Sequence, residues 1–229
     1  VISDTFDINN IIFYPAIEGT LLSIFRFNNK LYFCTKKCFD ASKSFWHSKK
    51  SFTDLFLECW GFDNNFNDIL ENICYNFIII HPENNNTIKY NQKSLILINA
   101  RSFGTLNILN ITLNNPNVNN FNLLSIVDVD MFINNLDTSF NYFLTAFKLN
   151  NKDNFYRIFN KMSYLNTHKQ TQGYFITDGI KSQKILFDKY VRSNSLKPNC
   201  SDSLFSYFLI RKKSNKLQKY LIYFPEEYS

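Results

Sequence analysis

The sequence contains little glycine and proline and lacks the short motifs that identify many enzymes. Five of its 229 residues are glycine and five are proline, which leaves little material for a glycine-rich loop around a phosphate group. The patterns HExxH, GxSxG and GxxxxGK are absent, which argues against zincin, α/β-hydrolase and P-loop chemistry. Of the three histidines, we interpret His47 and His81 as structural or surface residues.

Cysteine spacing and hydrophobic runs argue against further classes of protein. The five cysteines form no CxxC pair, so the sequence predicts neither a metal site nor a disulfide framework and favours a reducing compartment. No run of eighteen apolar residues is present, and residues 1–15 lack the basic start and apolar centre of a signal peptide. We therefore expect a cytoplasmic protein, or a virion protein if the source is viral, with no membrane association.

Aromatic residues and asparagine are abundant instead. The chain holds 25 Phe and 13 Tyr, and 45% of its residues are hydrophobic, which suffices for the core of one domain over residues 1–229. The excess of Asn, Ile, Lys, Phe and Tyr is typical of an A/T-rich genome, such as that of a virus or a cytoplasmic genetic element. This bias carries no information about mechanism.

Positive charge is concentrated in two stretches of the chain. The formal net charge is +6, and basic residues gather among Phe and Tyr in residues 26–50 and 181–219. Such stretches can follow a phosphate backbone and stack on unpaired bases, so RNA is a candidate partner. The alternative is a basic face that is only solvated, because charge predicts association rather than fold.

The spacing of apolar residues predicts both strands and helices. Asn28 and Asn29 between two β-prone runs predict a hairpin. Ser51 and Asp54 predict a capping box at the start of a helix, and the helical spacing resumes in residues 66–74. Strands are predicted at residues 77–80, 87–90, 94–101, 173–177 and 183–191, the last two joined by an Asp178-Gly179 turn.

Two regions lie outside this pattern. Amphipathic segments at residues 123–135, 139–147 and 154–165 predict a helical insertion over about residues 120–166. The C-terminal extension, residues 200–229, fits either helix or strand in its apolar part.

Five segments resemble the motifs of bacteriophage-type RNA ligases and follow the same order along the chain. They are residues 16–22, 31–36, 76–82, 172–175 and 184–191. In that family the first segment reads Lys-x-Asp/Glu-Gly, and its lysine forms a covalent adenylate. The resemblance implies an α+β nucleotidyltransferase fold with mostly antiparallel sheets flanked by helices. The alternative is that residues 16–19 open an ordinary strand, with glycine at a bend.

The segments depart from the family at its charged positions. The nucleophilic lysine is replaced by Ala16, two carboxylates by Ile78 and Gln172, and the last lysine by Leu186. A methyl group has no lone pair and cannot be a nucleophile, and aliphatic side chains bind neither Mg²⁺ nor phosphate. The resemblance therefore implies one cleft that keeps its fold and has lost its chemistry, with no cofactor or metal.

Three functions are compatible with this sequence. The first is a catalytically degenerate RNA-ligase-like domain that binds RNA or a protein partner. The second is an active ligase that uses ATP, Mg²⁺ and a displaced lysine such as Lys36, and the third is a purely structural viral protein. For the first, the resemblance retains Glu18, Lys36 and Lys184 as nucleotide- or phosphate-binding residues. The residues expected to contact RNA are Lys43, Phe45, Trp46, Lys189, Tyr190 and Arg192.

Overall fold

A computed structural model describes most of the chain. The described residues are 11–46, 48–61, 65–120, 126–128, 146–148, 171–178, 181–197 and 202–225. They form an α+β architecture with two sheets and four helices, in which seven of the nine strand pairings are antiparallel. The predicted fold class, α+β with mostly antiparallel sheets, is confirmed.

The secondary-structure elements divide between the two sheets and their flanking helices. In chain order the strands are β1 Ile12–Ala16, β2 Thr20–Phe27, β3 Lys30–Thr35, β4 Ile73–Ile80, β5 Ser94–Ser102, β6 Ile108–Leu109, β7 Val118–Asn120, β8 Ile126–Asp128, β9 Ala146–Lys148, β10 Gly173–Thr177 and β11 Ser182–Leu186. The helices are α1 Phe52–Trp60, α2 Asp188–Leu196, α3 Ser203–Ile210 and α4 Ser214–Tyr223. One sheet has the order β3-β2-β4-β5, with β6 and β7 both on β5, and the other has the order β11-β10-β1-β9-β8.

The six-stranded sheet carries the main core. Apolar side chains of β2, β4 and β5 pack with helix α1 in one buried cluster. Phe56 on the helix lies 5.3 Å from Phe77 on β4 and 5.5 Å from Trp60, measured between ring centroids. Aromatic rings thus supply much of the apolar area that holds the helix on the sheet.

Local signals fixed two of these elements as predicted. Asn28 and Asn29 have φ of 50° and 59°, the left-handed conformation that a two-residue hairpin turn requires, and they join β2 to β3. At the start of α1 the Ser51 hydroxyl accepts from the Asp54 amide, and the Asp54 carboxylate accepts from the Ser51 amide. The predicted hairpin and capping box are confirmed.

Helical spacing in residues 66–74 was misleading. Within residues 65–72 no helix forms, and β4 begins at Ile73. The Arg26 guanidinium donates to the carbonyls of Phe66 and Ile69 at 2.9 and 3.0 Å. The Phe66 carbonyl also accepts from the Ile69 amide at 3.0 Å. The segment therefore makes a single turn that is bonded to a side chain of β2, and it does not continue as a helix.

Four strand or helix predictions are also wrong. Residues 87–90 form no strand, because the Ile88 amide donates to the side chain of Glu18. The strand predicted over 183–191 ends at Leu186, and α2 begins two residues later. The helices predicted over 123–135 and 139–147 are strands at β8 and β9; the rest of both segments, and residues 154–165, lie outside the described residues. The apolar part of the C-terminal extension forms helices α3 and α4.

Candidate functional site

The connection from β1 to β2 carries the chain from one sheet to the other in three residues. At its end, Gly19 lies directly against β4. A Cβ atom at Gly19 would stand 2.4 Å from Cγ2 of Ile78 and 2.6 Å from the carbonyl oxygen of Ile79. A side chain here would clash with backbone, so the glycine is required for this close approach. Ile78 is thereby placed beside the connection.

The other end of the connection is fixed by β10 and β11. Ala16 is paired with Gly173, which is paired with Leu186. The Gln172 amide donates to the Ala16 carbonyl at 2.8 Å, and the Phe187 amide donates to the Gln172 carbonyl at 2.9 Å. Ala16 and Leu186 therefore flank Gly173 on one rung of the five-stranded sheet, and Gln172 is hydrogen-bonded beside this rung, at the start of the connection that Ile78 borders.

The two faces of the five-stranded sheet differ in burial. Phe13, Tyr174 and Ile176 point to one face and are buried. Residues directly opposite one another, and residues two apart on a strand, share a face, which places Phe175 and Lys184 with Ala16 on the other side. The Phe175 side chain is 45% exposed there. We call this second side the open face.

Lys184 and Gln172 form a polar pair next to the Ala16 rung. The Lys184 ammonium donates to the side-chain oxygen of Gln172 and lies 5.5 Å from the centroid of the Phe175 ring. Partial burial lowers the pKa of Lys184, and the negative charge of Glu18 opposes that shift. The pair keeps the hydrogen bond that a lysine and a carboxylate would form, without the negative charge.

Glu18, in the middle of the connection, is 7% exposed and bonds to the protein itself. Its Oε2 accepts from the Ile88 amide at 2.5 Å and its Oε1 from the Tyr190 hydroxyl at 2.7 Å. Burial raises the pKa of Glu18, while the hydrogen bonds of Ile88, Tyr190 and Thr87 and the charge of Lys197 oppose the rise. The carboxylate therefore ties the connection to the loop after β4 and to α2.

This arrangement limits the chemistry that the rung can perform. Ala16 presents a fully buried methyl group, which cannot attack a phosphate. Ile78 and Leu186 offer no ligand atom, and the oxygens of Glu18 already accept from the protein. Mg²⁺ prefers octahedral oxygen ligands with carboxylate charge, which this set does not provide. The rung therefore holds no group for covalent adenylation.

The predicted RNA contacts divide between α2 and the edge of the other sheet. Lys189 and Arg192 are exposed on α2. Tyr190 between them is buried and donates its hydroxyl to Glu18, so the prediction that it stacks on a base is wrong. Phe45 is exposed, and Trp46 is partly buried.

Lys36 and Lys43 lie on the six-stranded sheet and the turn that follows it. Lys36 is exposed one residue after Thr35, whose partner on β2 is Leu22. It therefore stands at the end of the sheet where β2 begins. Lys43 lies 3.4 Å from Asp40 in an exposed ion pair, which contributes little to stability.

Part of the basic stretch 26–50 is occupied by structural contacts. Arg26 is bound to main-chain carbonyls, and Lys50 lies 2.7 Å from Glu58 and 2.6 Å from Glu83. These two cations stabilise the fold, so only part of the stretch is left to meet a phosphate backbone. The number of basic residues in the sequence does not distinguish cations in structural contacts from cations that are available to a phosphate backbone.

A network of charges that the sequence did not predict surrounds α1. Glu58 contacts Lys50 at 2.7 Å, Lys93 at 2.6 Å and His81 at 3.2 Å. These hydrogen bonds lower the pKa of Glu58 to about 2. The Nδ1 atom of His81 accepts from the Glu83 amide, so Nε2 carries the proton and donates to Glu58; burial lowers the pKa of His81.

The same network contains a possible set of metal ligands. Glu58, His81 and Glu83 place ligand atoms within 4.8 Å of one another. Lys50 and Lys93 already neutralise the two carboxylates, so a cation would have to displace an ammonium group from each. The contacts therefore favour a structural ion-pair network. His81 is structural, as its position at the end of a strand indicated.

A concave surface adjoins the buried side of Glu18. A cavity of about 650 Å³ lies between residues 87–89, α2 and the end of α4. Lys89 and Lys189 line it together with Ile88 and Tyr190, the two residues that bond to Glu18. Positive charge thus borders the connection on this side as well as on the open face.

Comparison of the sequence with family models and with curated proteins found no match. Within the described part of the chain, no helix has both the length and the apolar character needed to cross a bilayer.

Proposed function

We propose that this chain is a catalytically degenerate RNA-ligase-like domain, with a nucleotidyltransferase-type fold, that binds single-stranded RNA without transferring a nucleotide. The observation that supports the proposal is the meeting of Ala16, Gln172, Leu186 and Ile78 around one connection. These are the four positions at which the sequence departs from RNA ligases. Their convergence is what the resemblance requires, and an accidental similarity gives no reason for it.

The open face and the neighbouring helix α2 together supply the contacts for RNA. Phe175 offers an exposed aromatic surface on which a base can stack, and Lys184 lies beside it. Lys189 and Arg192 follow on the next helix, where their exposed side chains can neutralise neighbouring phosphates. Stacking together with backbone charge is the mode by which proteins bind single strands without reading sequence.

Loss of catalysis is tested with radiolabelled ATP and Mg²⁺. We expect no covalently labelled protein after denaturing electrophoresis, because the rung lacks a nucleophile. A labelled band that disappears in Lys36→Ala or Lys184→Ala, and persists in Lys181→Ala, would establish the alternative of an active ligase with a displaced lysine.

RNA binding is tested by fluorescence anisotropy with a labelled single-stranded oligonucleotide. Phe175→Ala should weaken binding by about tenfold, since it removes one stacking surface. Phe103→Ala is the matched control, because Phe103 is 38% exposed and follows β5, a strand of the other sheet. Equal affinity of the two variants would contradict the proposed surface. Absence of binding by the unaltered protein would favour the purely structural alternative.

A further inference from the structure

Helix α3 exposes an unusually apolar face. Leu204, Phe205, Phe208 and Leu209 are 62%, 53%, 45% and 51% exposed. Positions i, i+1, i+4 and i+5 lie on one side of a helix, so these four side chains form a continuous stripe over two turns. We call this stripe the α3 face. Contiguous exposed apolar patches of this kind mark interaction sites in soluble proteins.

The opposite side of α3 packs against the rest of the chain. It includes a polar residue, although a buried side is normally apolar. Ile210 is buried against Tyr220 and Phe224. Ser206 is 1% exposed, and its hydroxyl has no hydrogen-bond partner among the described residues. The helix thus buries a serine while it presents Leu and Phe outward. Packing among the described residues does not cover the outward Leu and Phe side chains, whereas a partner on the outer face would bury them.

Charge around the α3 face restricts the partner. The Arg211 guanidinium lies 4.4 Å from the centroid of the Phe208 ring, so one positive charge stands within the apolar footprint. Lys212 and Lys213 follow directly, and within residues 202–225 the only acidic residue is Asp202, which caps the helix. A complementary surface therefore carries apolar side chains with carboxylates among them.

Two other occupants fit less well. A second copy of the chain would bring the same basic residues together, and such juxtaposed like charges oppose association. Single-stranded RNA would find π-surfaces on Phe205 and Phe208 but none on Leu204 and Leu209, which fill half of the stripe. The headgroup charges of a lipid surface would meet cations at the rim of the α3 face. Arg211 instead lies within the face, over the ring of Phe208.

We propose that the α3 face is a docking surface for an acidic amphipathic segment of another protein. Such a segment, a helix with Leu or Phe on one side and Glu or Asp beside them, would bury the four side chains and pair with Arg211. The function goes beyond RNA binding and uses a different element of the chain.

The test uses the full chain and a fluorescent synthetic helix that carries Leu on one face and Glu on its flanks. We expect saturable binding that weakens about tenfold or more in Leu204→Ser with Phe208→Ser. The control pair, Leu106→Ser with Ile108→Ser, removes side chains of similar exposure elsewhere and should leave the affinity unchanged. Far-UV circular dichroism checks that the helices of both variants persist.

Charge reversal provides a second measurement on the same surface. Arg211→Glu should weaken binding of the acidic peptide and improve binding of an otherwise identical peptide with Lys in place of Glu. Failure of the acidic peptide to bind below about 1 mM would overturn the proposal. Three other results would also overturn it: dimerisation in sedimentation velocity, binding of RNA, or binding of anionic vesicles, if that interaction is lost in Leu204→Ser with Phe208→Ser. Each of these results would assign the α3 face to another occupant.

Discussion

Glu18 links three parts of the chain that are far apart in sequence. Its oxygens accept from Ile88 and from Tyr190, a separation of 172 residues in the second case. Removal of such an acceptor leaves buried donors unsatisfied, at a cost of about 1–3 kcal/mol. A carboxylate that resembles a ligase motif residue thus has a structural role in this protein, whether or not a nucleotide also reaches it.

The raised pKa of Glu18 predicts how its substitution depends on pH. Between the ordinary pKa of 4.5 and the higher folded value, the native state binds more protons than the unfolded state, so the free energy of unfolding falls as pH rises. Glu18→Gln cannot titrate and keeps a similar shape. We expect its stability relative to the unaltered protein to increase from about pH 4 to pH 7, measured by urea unfolding.

Glu18→Ala is the companion variant. It should lose about 1–3 kcal/mol at both pH values, because the Ile88 amide and the Tyr190 hydroxyl lose their acceptor. A stability difference between Glu18→Gln and the unaltered protein that stays constant across this range would show that the carboxyl group titrates normally.

Individual site residues were predictable only where a motif marked them. Ala16, Ile78, Gln172 and Leu186 were found because neighbouring residues match a known pattern. Phe175 was missed as a surface group, because its exposure depends on which side of β10 is covered, and Tyr190 was misassigned because its buried partner is remote in sequence. The type of residue reveals neither the exposure of Phe175 nor the buried partner of Tyr190.

At the scale of elements, the pairing of β10 with β11 depends on one glycine. Gly173 has φ +151°, and a Cβ atom there would lie 2.0 Å from the Ile185 carbonyl oxygen. Gly173→Ala should therefore destabilise the protein by more than about 2 kcal/mol in urea unfolding. Gly104→Ala is the control, since its Cβ would meet nothing within 4 Å. Similar losses in the two variants would argue against this close approach.

Helix α1 offers a test of its N-terminal cap. Ser51→Ala removes the acceptor for the Asp54 amide and should cost about 1 kcal/mol. Thr53→Ala changes the same turn, but the Thr53 hydroxyl is buried without a hydrogen-bond partner in the described structure, so its loss should be neutral or stabilising. The midpoint of thermal unfolding should therefore fall in Ser51→Ala and not in Thr53→Ala; an equal fall in both variants would exclude the capping box as a source of stability.

The elements that sequence predicted correctly are those with local causes. Asn28 and Asn29 set the hairpin by their own conformation, and Ser51 caps the helix that follows it through hydrogen bonds to Asp54, three residues away. The helix predicted in residues 66–74 stops at one turn, in which Phe66 accepts from the Ile69 amide, and Arg26, at least forty residues earlier, donates to the carbonyls of Phe66 and Ile69. Long-range hydrogen bonds override local periodicity, and one sequence does not display them.

At the scale of the whole molecule, the candidate site exists only because two sheets and one helix meet. Ala16 comes from β1, Ile78 from β4, Gln172 and Leu186 from the β10–β11 hairpin, and Tyr190 from α2. The order of the motif-like segments predicted that they belong to one site. The contacts that complete the site, such as Tyr190 with Glu18, required the three-dimensional structure.

The net charge of +6 raises the question whether RNA binding reflects general attraction or a local surface. If Lys184, Lys189 and Arg192 contact phosphates, the logarithm of the binding constant should fall with the logarithm of salt concentration with a slope of about −2. Lys184→Gln with Lys189→Gln should make that slope less steep by about 1.4.

Lys30→Gln with Arg101→Gln removes the same charge from the six-stranded sheet and separates the two explanations. It should leave the slope unchanged if the contacts are local. Equal reductions in both double variants, measured by anisotropy at several salt concentrations, would mean that the protein attracts RNA through its overall charge, because long-range attraction does not depend on which two cations are removed.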